Sequence, residues 1–262
     1  MTADRYMPGY TPRVLSLMTR RSADEHAAFF LPYFLPGMSV LDCGCGPGNI
    51  TRGLAESVAP GEVIGVDLDA SQIELAQANK DNSANLTFVQ AGVYALPFPD
   101  GHFDAVFSHA LFEHIAEPVR AAREIHRVLK PGGVVGLCSP DWGGFIFAPE
   151  YPEIEAASTL FRRLQESHGG NTTAGRRLGG WLTEAGFKHV RPAARYECDD
   201  DLSIISGFLR DRLERAPRED NVFARGWTTL EALDGMLRAL REWETRADGL
   251  CAIAWLSALA RK

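Results

Sequence analysis

The sequence predicts an α/β fold, with strands and helices alternating around a mostly parallel sheet and helices on both faces. Three observations carry this. Val40-Leu41-Asp42-Cys43-Gly44-Cys45-Gly46-Pro47-Gly48-Asn49 is a short apolar run ending in an acid, followed by a loop with glycine at alternate positions; Val40 and Leu41 suit a buried strand. Ile50 to Val58 then places Ile50, Leu54 and Val58 on one helical face. Val63-Ile64-Gly65-Val66-Asp67 reads as the next strand, and it too ends in an acid.

The remaining elements follow in order. Met1 to Arg21 is polar, with Tyr6, Pro8, Tyr10 and Pro12. Ser22 to Leu35 reads as a helix, Ser22 serving as N-cap with Glu25 three residues on. Ala70 to Lys80 is a helix burying Ile73, Leu75 and Ala76, with Gln72 near its start, and Leu86 to Val89 is the third strand. Phe103 to Ser108 is the fourth strand. Ala116 to Lys130 is an amphipathic helix that Pro131-Gly132-Gly133 stops, and Val134 to Cys138 is the fifth strand. Ser139 to Phe147 is an aromatic-rich loop, and Glu153 to His168 an added helix. Asn171 to Phe187 holds a helix closed by a glycine cap; Val190 to Glu197 is a strand, and Leu202 to Glu214 and Thr228 to Glu244 are helices. Cys251 to Leu259 is assigned as a final antiparallel strand, an amphipathic helix being the competing assignment.

With 262 residues, 45% hydrophobic and 23% charged, the chain suffices for one α/β domain with a full core. A formal net charge of -7 supplies no overall basic field to gather nucleic acid or an anionic membrane. No apolar stretch reaches transmembrane length and the N-terminus lacks a signal-peptide pattern, so a cytoplasmic protein is expected. Five thinly spread cysteines suit reduced thiols. Cys43 and Cys45, two apart, read as small fillers, with no metal role.

The glycine loop aims free N–H groups and a helix N-terminus at a bound anionic group. Asp67, ending the second strand, is placed to accept hydrogen bonds from both hydroxyls of an adenosine ribose. A dinucleotide fold wants glycine or alanine at the position held here by Asn49. Asp42 would repel a pyrophosphate and welcome an ammonium. S-adenosylmethionine, with adenosine, ammonium, carboxylate and sulfonium but no phosphate, fits these charges better than a nicotinamide dinucleotide, and a nicotinamide-dependent oxidoreductase is the less favoured reading.

These residues resemble a family. Asp42 to Gly48 with Val66-Asp67 is similar to the first motif and acidic second strand end of class I S-adenosylmethionine-dependent methyltransferases, and closer still to their ubiquinone/menaquinone-biosynthesis subgroup. Leu96-Pro97-Phe98-Pro99-Asp100-Gly101-His102-Phe103-Asp104 and Glu124-Ile125-His126-Arg127-Val128-Leu129-Lys130-Pro131-Gly132-Gly133 match that subgroup's later signatures. The combination, spanning residues 38 to 140, is specific where the glycine loop alone is weak.

The resemblance implies a Rossmann-like fold with a seven-stranded, mostly parallel sheet, the last strand antiparallel, and a helical cap inserted after strand five. It divides the single domain into an N-terminal helical lid (1–36), a cofactor-binding core (37–140), a cap insertion (141–174) and a C-terminal part of the sheet with helices (175–262). It implies cofactor contacts from Asp42, Gly44, Cys45, Gly46, Gly48, Asn49, Asp67, Leu68, Gln72, Gly92, Val93, Ser108 and His109. Where the subgroup usually carries an Asp for the adenine amino group, this chain has Gly92, which costs cofactor binding about 1 kcal/mol, the scale of one net hydrogen bond.

Ser108-His109-Ala110-Leu111 stands where enzymes methylating exocyclic amines of nucleobases or glutamine place Asn/Asp-Pro-Pro-aromatic, which opposes that chemistry. His109 is the foremost candidate base, His114 and Asp141 the next, should the acceptor arrive protonated. His26, His102, His126, His168 and His189 are assigned no role. Trp142, Phe145 and Phe147 are candidates for an apolar substrate wall, Tyr10 for a substrate contact, and Tyr10 or Arg21 for the cofactor carboxylate. The expectation is a methyltransferase acting on a small, apolar or aromatic acceptor, as monomer or homodimer. A protein of the same fold that binds S-adenosylmethionine without transferring methyl, whether pericyclase-like, decarboxylating or a non-catalytic partner, stays open.

Overall fold

The first parallel strand, β1 (Val40–Cys43), is buried on both faces, as its continuous apolar run requires. The computed structural model describes residues 6–80 and 83–262; the start of the N-terminal segment, residues 1–5, lies outside them. Ahead of β1 run α1 (Pro12–Thr19) and a single turn, α2 (Ala23–His26). Then come α3 (Asn49–Val58), β2 (Val63–Asp67), α4 (Ala70–Ala78), β3 (Leu86–Gln90), β4 (Phe103–His109), α5 (Pro118–Val128) and β5 (Leu129–Pro140). The chain continues through β6 (Ile146–Ala148), α6 (Pro152–Ser167), α7 (Ala174–Glu184), β7 (Lys188–Cys198), α8 (Leu202–Glu219), α9 (Leu230–Trp243) and β8 (Leu250–Arg261).

The sheet runs β3-β2-β1-β4-β5-β8, with β7 pairing along the far side of β8. The pairs from β3 to β5 are parallel, and β8 runs antiparallel to both β5 and β7. The final segment is thus a strand, not a helix, and sits between β5 and β7. An eighth strand, beyond the seven expected, arises where β5 ends: Pro140 pairs with Trp255, the chain makes a 3-10 turn over Trp142–Gly144, and β6 resumes the pairing at Ala252. The strand order reverses between β1 and β4, where the C-terminal strand ends open a crevice.

Three apolar clusters hold the molecule. One, with Ile125, Leu129 and Leu178, lies under α5 and α7. A second, with Phe30, Leu54 and Phe107, lies under α3 and the aromatic segment after α2. The third joins α6, α8 and α9 through Phe161, Leu209 and Trp243. This helical layer therefore draws on stretches well beyond the segment after β5.

The expected helix from Ser22 to Leu35 is broken. Only Ala23–His26 is α-helical, and Leu31–Tyr33 is a 3-10 turn. Pro32 has no N–H to continue the ladder, and Phe29, Phe30 and Phe34 gain more by turning into the second cluster. Ser22 does not cap with its side chain; its N–H donates to His26 Nδ1 at 3.2 Å. Leu75 is exposed on α4, which buries Ile73 and Ala76 instead.

Phe30 is fully buried, and a Cβ on Gly136 would lie 2.7 Å from its ring. Phe30→Ala is expected to lose about 3–5 kcal/mol of stability in denaturant titration; a loss below about 1 kcal/mol would show that the segment before β1 is not part of the core.

Candidate active site

The turn after β1 defines the site. Gly44, Gly46 and Gly48 have φ of 75°, 52° and 82°. Gly48 is the left-handed N-cap of α3, where a Cβ would meet Phe88 at 2.6 Å, and a Cβ at Gly46 would meet Met18 at 2.8 Å. The turn is pinned to the neighbouring strand: Gly46 N–H donates to Asp67 Oδ2 at 3.0 Å, and Asp69 N–H to Asp67 Oδ1 at 3.0 Å.

Two cavities open at the strand ends. A groove of about 780 Å³ is lined by Gly44, Asp67, Leu68, Gly92, Val93, His109 and Tyr10. A small hollow continues from it beneath the loop, bounded by Asp42, Cys45, Gly46, Asn49 and His109. A cavity of about 490 Å³ lies on the other side, floored by Trp142, Phe145, Phe161 and Phe208. Groove and cavity meet at Tyr6, Met18, Arg21, Ala110 and His114, which line both.

Three expected contacts do not face these spaces. Ser108 is buried and its hydroxyl donates to the Cys43 carbonyl at 2.8 Å, tying β4 to β1. Gln72 is fully buried behind the loop with Oε1 unpartnered. Gly48 is turned back onto β3. Of the expected substrate residues, Phe147 packs edge-on against Trp243 and is no part of the cavity wall. Tyr10 stands beside Asp67 in the groove, not in the cavity. Trp142 and Phe145 do line the cavity, stacked at 4.3 Å. Asp141 holds Arg176 with both oxygens at 2.6 Å, so it is committed to that ion pair.

The titratable groups are strongly biased. His109 is buried against Trp255, its ring centroid 4.5 Å away, and neither ring nitrogen has a hydrogen-bond partner among the described residues. Burial, then the Arg21 charge, holds it well below its ordinary value. His26, assigned no role from the sequence, is buried edge-on against His109, and burial lowers it to about 4. His114 is lowered to about 3 by burial and Arg21. Its Nε2 stands 3.6 Å from Glu113 Oε1, its Nδ1 has no hydrogen-bond partner among the described residues, and the Tyr6 ring packs edge-on against it at 4.7 Å. Burial pushes Glu113 up to about 7, although the Ser139 hydroxyl donates to it at 2.8 Å.

Sequence reading missed Tyr6, Ala110 and Glu113. Ala110 adopts φ 55°, a conformation that costs a non-glycine residue about 1–2 kcal/mol, and the sequence carries no sign of it. Helix α1 was also missed. Thr11 caps it by accepting Val14 N–H at 3.3 Å, Pro12 opens it, and Asn49 Nδ2 donates to the Thr19 carbonyl at its end.

Asp42 is 2% exposed, with the Thr51 hydroxyl donating to it at 2.7 Å; burial pushes its carboxyl up to about 7. The folded protein therefore binds this proton more tightly than the unfolded chain. The stability this confers is present below about pH 4 and lost as pH rises through 7. Asp42→Asn is expected to stabilise the ligand-free protein at pH 8 by roughly 1–4 kcal/mol and to change it little at pH 4. Denaturant curves at the two values check this; a variant less stable than the parent at pH 8 contradicts it.

A family model described as a methyltransferase domain matches residues 41–137. An uncharacterized methyltransferase of Schizosaccharomyces pombe is 34% identical over 208 residues, which cover 75% of this chain and 74% of the relative. A demethylmenaquinone methyltransferase of Lactococcus lactis is 42% identical over 104 residues, 38% of this chain and 41% of its own length. Two further curated relatives are matched over 44% and 50% of their lengths. Among solved structures, phosphoethanolamine N-methyltransferase 2 of Haemonchus contortus, in complex with phosphomonomethylethanolamine and S-adenosylhomocysteine, superposes with a TM-score of 0.58 at 20% identity. The match covers 91% of this chain and 52% of that one, a likeness of fold. Because the yeast likeness runs through three quarters of both chains and meets the strand-end geometry described above, this chain belongs to the class I S-adenosylmethionine-dependent methyltransferases and resembles their ubiquinone/menaquinone-biosynthesis subgroup.

Proposed function

We propose that this protein transfers a methyl group from S-adenosylmethionine to a small metabolite whose apolar body occupies the 490 Å³ cavity. The single observation carrying the reading is the meeting of groove and cavity at Tyr6, Arg21, Ala110 and His114, a place where a methyl donor and an acceptor can touch.

The groove suits the cofactor by its chemistry. Asp42 and Asp67 are both raised by burial and neither has an arginine or lysine partner among the described residues. A ligand that brings an ammonium and ribose hydroxyls answers both carboxylates, whereas a pyrophosphate answers neither. Asp42, Gly44 and Gly46 would hold the amino-acid end, Asp67 with Leu68 the ribose, and Gly92 with Val93 the adenine. Arg21, with no ion pair among the described residues and reaching all three spaces, would hold the carboxylate.

When bound, S-adenosylmethionine supplies a methyl already activated by its sulfonium sulfur. The chain's task is then alignment and exclusion of water, which together lower a barrier by about 7–11 kcal/mol. Helix α1 and its flanks close over the junction, placing Tyr6 and Met18 there. For an acceptor that arrives protonated, His114 is better placed than His109. It lines both spaces, its buried Nδ1 has no hydrogen-bond partner among the described residues, and Glu113 stands 3.6 Å behind its Nε2, where its charge would favour the protonated ring. His109 faces the groove and the hollow but not the acceptor cavity.

Asp67→Ala is expected to weaken S-adenosylhomocysteine binding by about 10- to 100-fold in calorimetry, the scale of one or two hydrogen bonds to a charged group. Unchanged affinity would refute the ribose assignment. His114→Ala is expected to lower kcat by about 10²–10⁴-fold while leaving cofactor affinity within about twofold. An equal loss in both would make His114 a cofactor contact, not a base.

A further inference from the structure

Strand β7 is an outer edge of the sheet, and that edge is open. It pairs with β8 alone, and α7 is the other element that packs along it among the described residues. Arg191, Pro192, Ala193 and Ala194 are exposed, as is Tyr196 at 57%. Such an edge offers unpaired backbone groups to another strand. Which groups are on offer follows from the ladder. Asp141 N–H donates to the Ala254 carbonyl at 2.9 Å, so the even-numbered residues of β8 turn their backbone groups toward β5. The odd-numbered ones, opposite Arg191, Ala193, Arg195 and Glu197, turn theirs toward β7. Pro192, Ala194 and Tyr196 are left with their backbone groups directed outward. Pro192 is tolerated there because its missing N–H takes no bond from the ladder with β8.

One antiparallel register between two copies suits this edge. With Ala194 opposite Ala194 of the second copy, the two alanines exchange both backbone bonds, and each Tyr196 N–H meets the facing Pro192 carbonyl. On one face of the sheet Tyr196 lies across from Pro192, apolar against apolar. On the other, Arg191 stands opposite Glu197, opposite charges on directly facing positions. Glu197 pairs with Arg195 of its own chain at 3.1 Å, whereas Arg191 has no ion pair among the described residues. The adjacent registers fail on charge: one sets Arg191 against Arg195, the other Arg195 against its own copy. Pro192 and the arginines thus blunt the edge toward other strands. The irregularity between Lys188 and Arg191 ends the regular pairing at that side.

We infer that the protein forms a two-fold dimer in which β7 pairs with β7 of a second copy, centred on Ala194, so that one sheet runs through both chains. The dimer also reaches the site. Glu197 lines the 490 Å³ cavity, so Arg191 of the second copy brings a positive charge to the edge of that cavity.

Light scattering during gel filtration of the full chain at about 100 μM tests this, and twice the chain mass is expected. Ala194→Pro removes the outward N–H without touching a bond to β8, and Arg191→Glu sets two carboxylates face to face. Each is expected to weaken dimerisation by about tenfold or more. Adding Glu197→Gln to Arg191→Glu removes the facing carboxylate and is expected to recover about threefold or more of that loss. Circular dichroism shows which variants are folded; should Ala194→Pro not be, Arg191→Glu and its double variant carry the test. A monomeric parent, a dimer that a folded Ala194→Pro or Arg191→Glu leaves intact, or a loss that Glu197→Gln does not relieve overturns the inference.

Discussion

The site depends on the backbone of Gly44 to Gly48 lying where no side chain fits. At Gly46 an added Cβ would strike Met18 of the covering helix, and at Gly48 it would strike Phe88 of β3. The turn is therefore in contact with the lid above it and the sheet beside it at once. Asp67 completes the arrangement, because its carboxylate is held by the Gly46 N–H and so cannot drift from the loop it serves. Interiors at this density move as units. A change in the turn would displace α1, Asp67 and the N-terminus of α3 together.

Around this turn the dominant electrostatic effect is burial, not pairing. Asp42, Asp67 and Glu113 are raised, and His26, His109 and His114 are lowered, each first by desolvation. Arg21 enters as the recurring nearby charge, lowering all three histidines and Glu113. Such a site is costly to fold, since several buried polar groups have no partner among the described residues. The cost is recovered when a ligand supplies them, so ligand binding and global stability are linked here more tightly than in a site already satisfied by its own residues.

Much of the sheet was legible because parallel strands buried on both faces read as unbroken apolar runs, as in Val40-Leu41 and Val63 to Val66. The loop and its two acids were legible because charge and glycine spacing are local. What was not legible was set by distant partners. Ser22 to Leu35 has the composition of a helix, yet Phe30 finds its place against Gly136, more than 100 positions away. Met1 to Arg21 read only as a polar stretch, whereas Pro12 follows a capping threonine and opens α1. Asp141 looked available for proton transfer until Arg176, 35 residues on, was seen to hold it. His26 and Tyr6 acquire their meaning only from the histidines they pack against.

The lid is held in a way that fits its position. Within α1 only Val14 is buried. Of the segment's ties to α8, Met7 is buried among Leu209 and Leu213 with Arg212 Nε donating to its sulfur, while the others are polar and partly exposed: Thr11 and Arg13 to Asp211, and Arg215 to the Pro8 carbonyl. Pairs of this kind contribute about 0–1 kcal/mol each. The strands beneath are buried on both sides, so α1, with one buried residue of its own, is packed less densely than the sheet it covers. Tyr6, Met18 and Arg21, in and beside α1, line both spaces, so this segment covers the junction of groove and cavity. The contacts to α8 and the glycine turn together fix where this segment lies over the junction.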